Sequence, residues 1–305
     1  MTPVEWLWIP ITIWAAFAQT IRNAAQKGLT ASLGALGATL VRFLYGLPFA
    51  LLWLFGAKAV GDFAWPTLNV GFLGWVCLGS VSQIFATALL LRVMAERNFA
   101  LGVAYSKSDV IQSAVFGFVF LGDMLSRGAG IAVLLGTVGV LLLSPPDREH
   151  PFRALLTGWT TRSALLGVAS GAGFAMSAVG FRGAALALPD TSFIMAAAVT
   201  LAIAQALQTL ALGGWLLARN PDVVTRTFRA WRPSMVAGFM GAAASVGWFT
   251  AMAIEPAAHV RALGMIELLF SYVVSRRLFR ERLSGLERAG LVLLTVGLVA
   301  VALIR

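Results

Sequence analysis

The chain has 305 residues, of which 59% are hydrophobic and only 12% charged, with a formal net charge of +10. A soluble globular domain carries about 25% charged residues; lipid-facing helix surfaces, by contrast, need no polar cover, so this composition reads as an integral membrane protein. The basic residues fall between apolar segments instead of gathering on one solvated face, which argues against nucleic-acid binding and fits the loops of a membrane protein.

The first segment, MTPVEWLWIPITIWAAFAQ, has no basic leader and no small-residue cleavage site, so it is expected to be a retained span and not a signal peptide. Crossing about 30 Å of hydrocarbon takes about 20 mostly apolar residues. Ten such runs follow one another near 5–25, 33–55, 68–93, 99–121, 129–144, 163–187, 191–217, 234–254, 257–278 and 287–304. They are long and continuous, not the short alternating segments of a barrel, so each is expected to be a helix. Two breaks are longer, at 145–162 and 218–233, and the first falls at the midpoint. Residues 1–145 and 163–305 therefore form two five-span halves joined by a linker at 146–162. Gly167 and Gly171 stand four apart, as do Ala237, Gly241 and Ser245, a spacing that lets helix backbones approach closely. The single cysteine, Cys77, allows no intrachain disulfide and is expected to be a small buried hydrophobe.

Alternate loops carry most of the basic residues, among them Arg22, Lys27, Arg97, Arg148, Arg153, Arg226, Arg229, Arg276 and Arg280, while the other side has Lys58, Arg127 and Arg305. The rich side is expected to be cytoplasmic in a cell inner membrane, which places both termini on the non-cytoplasmic side.

The two halves align in sequence. With a shift of 158 positions, LSRGAGIAVLLGTVGVLLL at 125–143 meets LSGLERAGLVLLTVGLVAV at 283–301, Asp123 meets Glu281, Met94-Ala95 meets Met252-Ala253, and Asp109 meets Glu267. Arg22 meets Arg182 with a shift of 160. Five spans is an odd number, so the second half enters the bilayer upside down relative to the first. Such inverted repeats place a substrate site near the midplane where the halves meet.

These features together, with an acid in each fourth helix, LGDMLS or FRERLS after it and TVG in the next helix, resemble the EamA-type repeat of the drug/metabolite transporter superfamily, over nearly the whole chain. The pattern is most similar to exporters of aromatic amino acids and methionine. The family pattern often has proline directly after the acid; here Val110 and Leu268 stand there, so no role of that proline carries over. The resemblance implies a ten-helix secondary carrier that exports small metabolites, amino acids foremost, by alternating access. A sugar or phosphorylated-metabolite carrier of the same superfamily is the alternative, with Arg42 and Arg182 as anion ligands. It implies an amino acid-like substrate, a lipid bilayer environment, no cofactor and function as a monomer.

A charge deep in hydrocarbon costs about 2.5–3.5 kcal/mol on the insertion scale, so such residues face a cavity or a partner. Asp109 and Glu267 are the central candidates, either lining the cavity or held in ion pairs with Arg42, Lys107 or Arg261. On a continuous helix Lys107 and Asp109 lie about 200° apart and share no face, whereas Tyr105, Asp109 and Gln112 form one polar stripe. Ser271 lies one turn beyond Glu267. Arg42 pairs with an acid or contacts a substrate carboxylate. Arg22 and Arg182 are expected to snorkel to the interfaces. Gln19, Asn23 and Gln83 supply further polar anchors, and Trp14 and Trp248 are candidate aromatic walls, while Trp6, Trp8, Trp53, Trp65 and Trp215 fit an interfacial belt. His259 and Glu255, four apart, are expected to make a contact within one helical turn.

The sequence contains no GxxxxGK[ST] phosphate loop, no HExxH, no cysteine-pair zinc site and no GxSxG. No enzymatic activity and no metal are expected. A channel would tend to repeat identical polar rings, and the two acid stripes differ.

Overall fold

The computed structural model describes residues 4–96, 99–124 and 162–278, with isolated helical positions at 130, 134, 292 and 293. The expected spans at 129–144 and 287–304, the linker and the LS and TVG motifs lie outside the described residues apart from these positions and Arg162. Among the described residues the chain is helical with no strand. Among the described residues six stretches are long and apolar enough to cross a membrane: 6–61, 70–96, 162–186, 193–219, 231–254 and 257–274. This fits an all-α, multi-pass membrane protein.

Helix α1 (Val4–Leu44) is 41 residues long but interrupted at Gly34, whose φ of 69° lies in the left-handed region that favours glycine. Gln26 Nε2 donates to the carbonyl of Ala38 at 2.7 Å. Twelve residues of straight helix span about 18 Å, so this bond requires the chain to double back around Gly34. Helix α2 (Leu47–Gly61) follows after a turn at Tyr45–Gly46. Helix α3 (Val70–Glu96) is uninterrupted.

The next span is broken. Helix α4 (Phe99–Ser106) ends in a turn at Lys107–Ser108, and α5 (Asp109–Leu121) starts at the acid itself. Helices α6 (Arg162–Leu186) and α7 (Phe193–Arg219) are continuous, with Ser192 capping α7 by accepting from the Met195 backbone N–H. The polar break at 218–233 holds a short helix, α8 (Pro221–Arg229), with proline in its first turn and Arg226 and Arg229 in its last. Both placements favour a helix, since proline loses no bond at the start and cations complement the C-terminal dipole. Helix α9 (Trp231–Ile254) leads to α10 (Ala257–Leu263), a 3-10 turn at Gly264–Ile266, and α11 (Glu267–Arg277). Both acids thus begin a helix directly after a break.

Packing follows the small residues. Helix α1 packs most extensively on α9, and α3 on α6. A Cβ on Gly247 of α9 would stand 2.8 Å from Ala15 Cβ and 3.2 Å from the Ile11 carbonyl of α1. A Cβ on Gly180 of α6 would stand 2.9 Å from the backbone of Gly79 in α3. Without a hydrophobic drive between helices in lipid, such close approach supplies the dispersion contact that holds them. The broken helices cross reciprocally: α4 packs on α11 and α5 on α10.

Several expectations are corrected. Cys77 is exposed on the outer surface of α3, because its neighbours Val76 and Gly79, not Cys77, face the interior. Trp8 is 3% exposed and belongs to the core, while Trp6, Trp53, Trp65 and Trp215 are exposed. Arg22 and Arg182 do not snorkel; both are buried, because side-chain and backbone acceptors inside the bundle bind them.

Candidate functional site

The breaks before Asp109 and Glu267 set the site. Where a helix is interrupted, the 100° step between residues no longer governs direction. Lys107 and Asp109 therefore both point into the protein, and the expectation that they occupy different faces is corrected. Gly171 of α6 makes room for this turn: a Cβ there would overlap Ser108 Oγ and stand 2.9 Å from the Ser106 carbonyl and 3.0 Å from the Asp109 nitrogen. Both acids sit in the first turn of a helix, where the helix dipole favours negative charge.

The ion pairs are crossed between the two broken helices. Lys107, before α5, bonds Glu267 at the start of α11. Arg261 in α10 pairs with Asp109 at the start of α5, Nη1 to Oδ2 at 3.3 Å. Glu267 also accepts from Gln19 Nε2 and Asn23 Nδ2, each at 2.8 Å. Asn23 Oδ1 in turn accepts from Arg22 Nη2 at 2.7 Å. Lys107, Arg261, Gln19, Asn23 and Arg22 are all buried. A cation beside each carboxylate, with two amide donors added on Glu267, is what makes two charges tolerable in a low-dielectric interior.

Beside this layer lies a small central cavity of about 10 Å³, room for about one water. Its polar lining comes from Gln19, Gln83 and Ser245, with Arg42 and Arg261 as cations. Phe174, Phe181, Trp248, Phe249 and Met252 supply the apolar wall. Trp248 joins the two layers: its indole N–H donates to Gln19 Oε1 at 2.9 Å, and the Arg261 guanidinium sits over its ring at 5.0 Å. Arg42 Nη1 donates to Thr87 Oγ1 at 2.9 Å. Gln83 Oε1 accepts from Gln208 Nε2 at 2.9 Å.

Of the residues singled out by sequence, Gln19, Arg42, Gln83 and Trp248 line this cavity, and Asn23, Asp109 and Glu267 form the ion-pair layer next to it. Tyr105 is buried against Gly167 of α6, away from the lining. Gln112 is half-buried and Ser271 fully buried; neither lines the cavity. Trp14 stands elsewhere: it is 49% exposed and packs on Phe17 at 6.0 Å on the outer surface of α1. The inner face of α1 is instead set by Ala15, Ala16, Ala18 and Gln19. Sequence reasoning missed Phe174, Phe181, Ser245, Phe249 and Met252. Ser245, Trp248, Phe249 and Met252 follow the i, i+3, i+4, i+7 spacing of one helical face, and Trp248 marks that face.

Away from the cavity, Arg182 Nε and Nη2 bond Asp123 at 2.8 and 3.1 Å, and its Nη1 donates to the carbonyls of Met252 and Glu255 at 2.9 Å each. His259 Nδ1 lies 2.6 Å from Glu255 Oε1, one turn apart. Among the described residues no group of three or more histidine, cysteine or acidic side chains could hold a metal.

No family model and no curated protein matches this chain. A solved crystal structure described only as that of a "protein" is similar to it, with a TM-score of 0.67 at 16% identity over 97% of this chain and 96% of the other. At that identity the likeness concerns the fold alone.

Proposed function

We propose that the chain is a secondary carrier of ten membrane helices, built as two inverted five-helix halves, that exports small metabolites, amino acids foremost, by alternating access. The observation that carries this reading is the crossed arrangement at the centre: each half's acid starts a helix after a break and is held by the other half's cation. The reciprocal packing of α4 on α11 and α5 on α10, and of α1 on α9 and α3 on α6, is what an inverted repeat would produce. Interrupted helices at membrane depth are tolerated where they adjoin protein or a cavity, and in carriers they adjoin the substrate site. The EamA-type resemblance of the sequence supports the same reading.

In this mechanism the substrate enters between the halves and meets the aromatic wall of α6 and α9 and the polar groups of α1 and α3. The halves then rock about the crossed ion pairs, which keep the buried charges neutralised as the opening moves from one side to the other. A phosphorylated-metabolite carrier is the second reading, favoured by Arg42 in the cavity wall. Counterflow of labelled amino acids in proteoliposomes tests the proposal. Exchange of amino acids supports it; exchange of sugar phosphates alone favours the second reading; exchange of neither refutes carriage of both classes.

A further inference from the structure

Resting on the reading of this cavity as a transport site that widens as the halves rock apart, we infer that its walls grip the substrate by a carboxylate at Arg42, with an apolar body on the aromatic wall, and require no ammonium group. The charge balance is the first ground. Among the described residues Lys107, Arg261 and Arg182 each have a carboxylate partner, in Glu267, Asp109 and Asp123. Arg22 and Arg42, 0% and 2% exposed, pair with no carboxylate there. Arg22 reaches Glu267 only through Asn23, whose amide spans the two. Arg42 bonds a neutral hydroxyl on Thr87, and its buried Nε has no partner.

The two arginines also lie side by side. A Cβ on Gly241 would stand 3.3 Å from Arg22 Cδ and 3.3 Å from Arg42 Cγ, so both side chains cross the same glycine. Two like charges packed together in a low-dielectric interior repel strongly. An anion delivered to Arg42 would offset that repulsion, and a guanidinium presents a fork matched to a carboxylate.

The opposite charge is not on offer. No acid lines the cavity. Glu267 has both oxygens occupied by Gln19, Asn23 and Lys107. Asp109 keeps one oxygen, Oδ1, without a partner, but it lies outside the cavity lining and behind Arg261, which sits over the Trp248 ring. A substrate ammonium group would meet guanidinium groups and gain no counter-charge. The rest of the wall, with Phe181 and Phe249 at a 4.3 Å centroid separation, suits an apolar or aromatic body more than a hydroxyl-rich sugar phosphate.

The test uses the full chain in detergent or nanodiscs and a matched ligand series: 3-phenylpropionate, L-phenylalanine, phenethylamine and glucose 6-phosphate. Thermal stabilisation and calorimetry are read for each. Both carboxylates should bind, with affinities within about threefold of each other, and phenethylamine and glucose 6-phosphate should not. Arg42→Gln should weaken carboxylate binding about tenfold or more, and Arg42→Lys should restore part of it. Binding of phenethylamine as tightly as 3-phenylpropionate, binding of the sugar phosphate alone, a need for the amino group, or no binding at all overturns the inference. Undiminished carboxylate binding in R42Q also overturns it. The ligand series decides on the unaltered protein even where R42Q does not fold. Binding is read without transport, so a carboxylate-selective protein without counterflow would refute the carrier and leave this inference standing, whereas counterflow of amines would do the reverse.

Discussion

Replacing Glu267 by Gln should destabilise the protein far more than replacing Asp109 by Asn, although the two acids are equivalent in the sequence alignment. Glu267 accepts from three donors, and one oxygen serves both Gln19 and Lys107. A glutamine there keeps one acceptor and turns an N–H₂ group towards either Lys107 and Gln19 together or Asn23, and in both cases Lys107 loses its counter-charge. A buried charge left without its partner costs about 3–5 kcal/mol. Asp109 makes one ion pair, to Arg261, and its Oδ1 is buried without a partner. An asparagine can keep its carbonyl oxygen towards Arg261, which also retains its contact with Trp248. The expected cost is about 1–2 kcal/mol, the loss of charge from one hydrogen bond. Unfolding in mixed micelles, followed by tryptophan fluorescence, measures both. Adding Lys107→Met to Glu267→Gln should recover about 1–3 kcal/mol, since it removes the stranded ammonium, and a double-mutant cycle isolates that coupling. Equal costs for the two single substitutions, or no recovery in the double, would refute the crossed-pair account.

Two glycines make a contrasting pair: Gly171→Ala pushes a methyl onto the backbone of the helix break and should cost about 1–3 kcal/mol, while Gly241→Ala meets two flexible arginine stems and should cost less than about 1 kcal/mol, both read by the same unfolding assay. Arg182→Gln gives up bonds to both Asp123 oxygens and to two carbonyls, and should lower stability by about 2–3 kcal/mol, more than His259→Ala, which breaks a part-exposed one-turn contact worth about 1 kcal/mol or less. In a Cys77→Ala background, a cysteine at residue 150 should resist a membrane-impermeant reagent in intact cells while one at residue 2 reacts; the same side for both would end the inverted arrangement.

The helical character, six of the apolar spans and the burial of Asp109 and Glu267 in ion pairs with Lys107 or Arg261 were legible because composition and run length act locally. The apolar runs at 68–93 and 191–217 match α3 and α7 within a few residues. What could not be read was direction at a break. The argument that separated Lys107 from Asp109 assumed a continuous helix, and neither glycine nor proline marks the turn at Lys107–Ser108. The signal sits instead on another helix, in the Gly171 that receives it. The second break has Gly264, against which the Trp248 ring packs, but a glycine inside an apolar run is common and points nowhere alone. Trp14 and Trp248 show the same limit. Each is a tryptophan deep in an apolar run, and only packing separates the exposed one from the one that hydrogen-bonds Gln19.

The two arginines related by the repeat shift now differ in what holds them. Arg182 closes on Asp123 and on the carbonyls at the end of α9, whereas Arg22 bonds an amide in the interior. Two halves equivalent in sequence but unequal in local bonding are what the carrier reading requires, because a carrier open to one side must break its own symmetry. In the proposed carrier cycle the crossed pairs of Lys107 with Glu267 and Arg261 with Asp109 would keep the central charges neutralised while outer contacts such as Arg182 with Asp123 are broken, so the cost of switching sides would fall where water can compensate it.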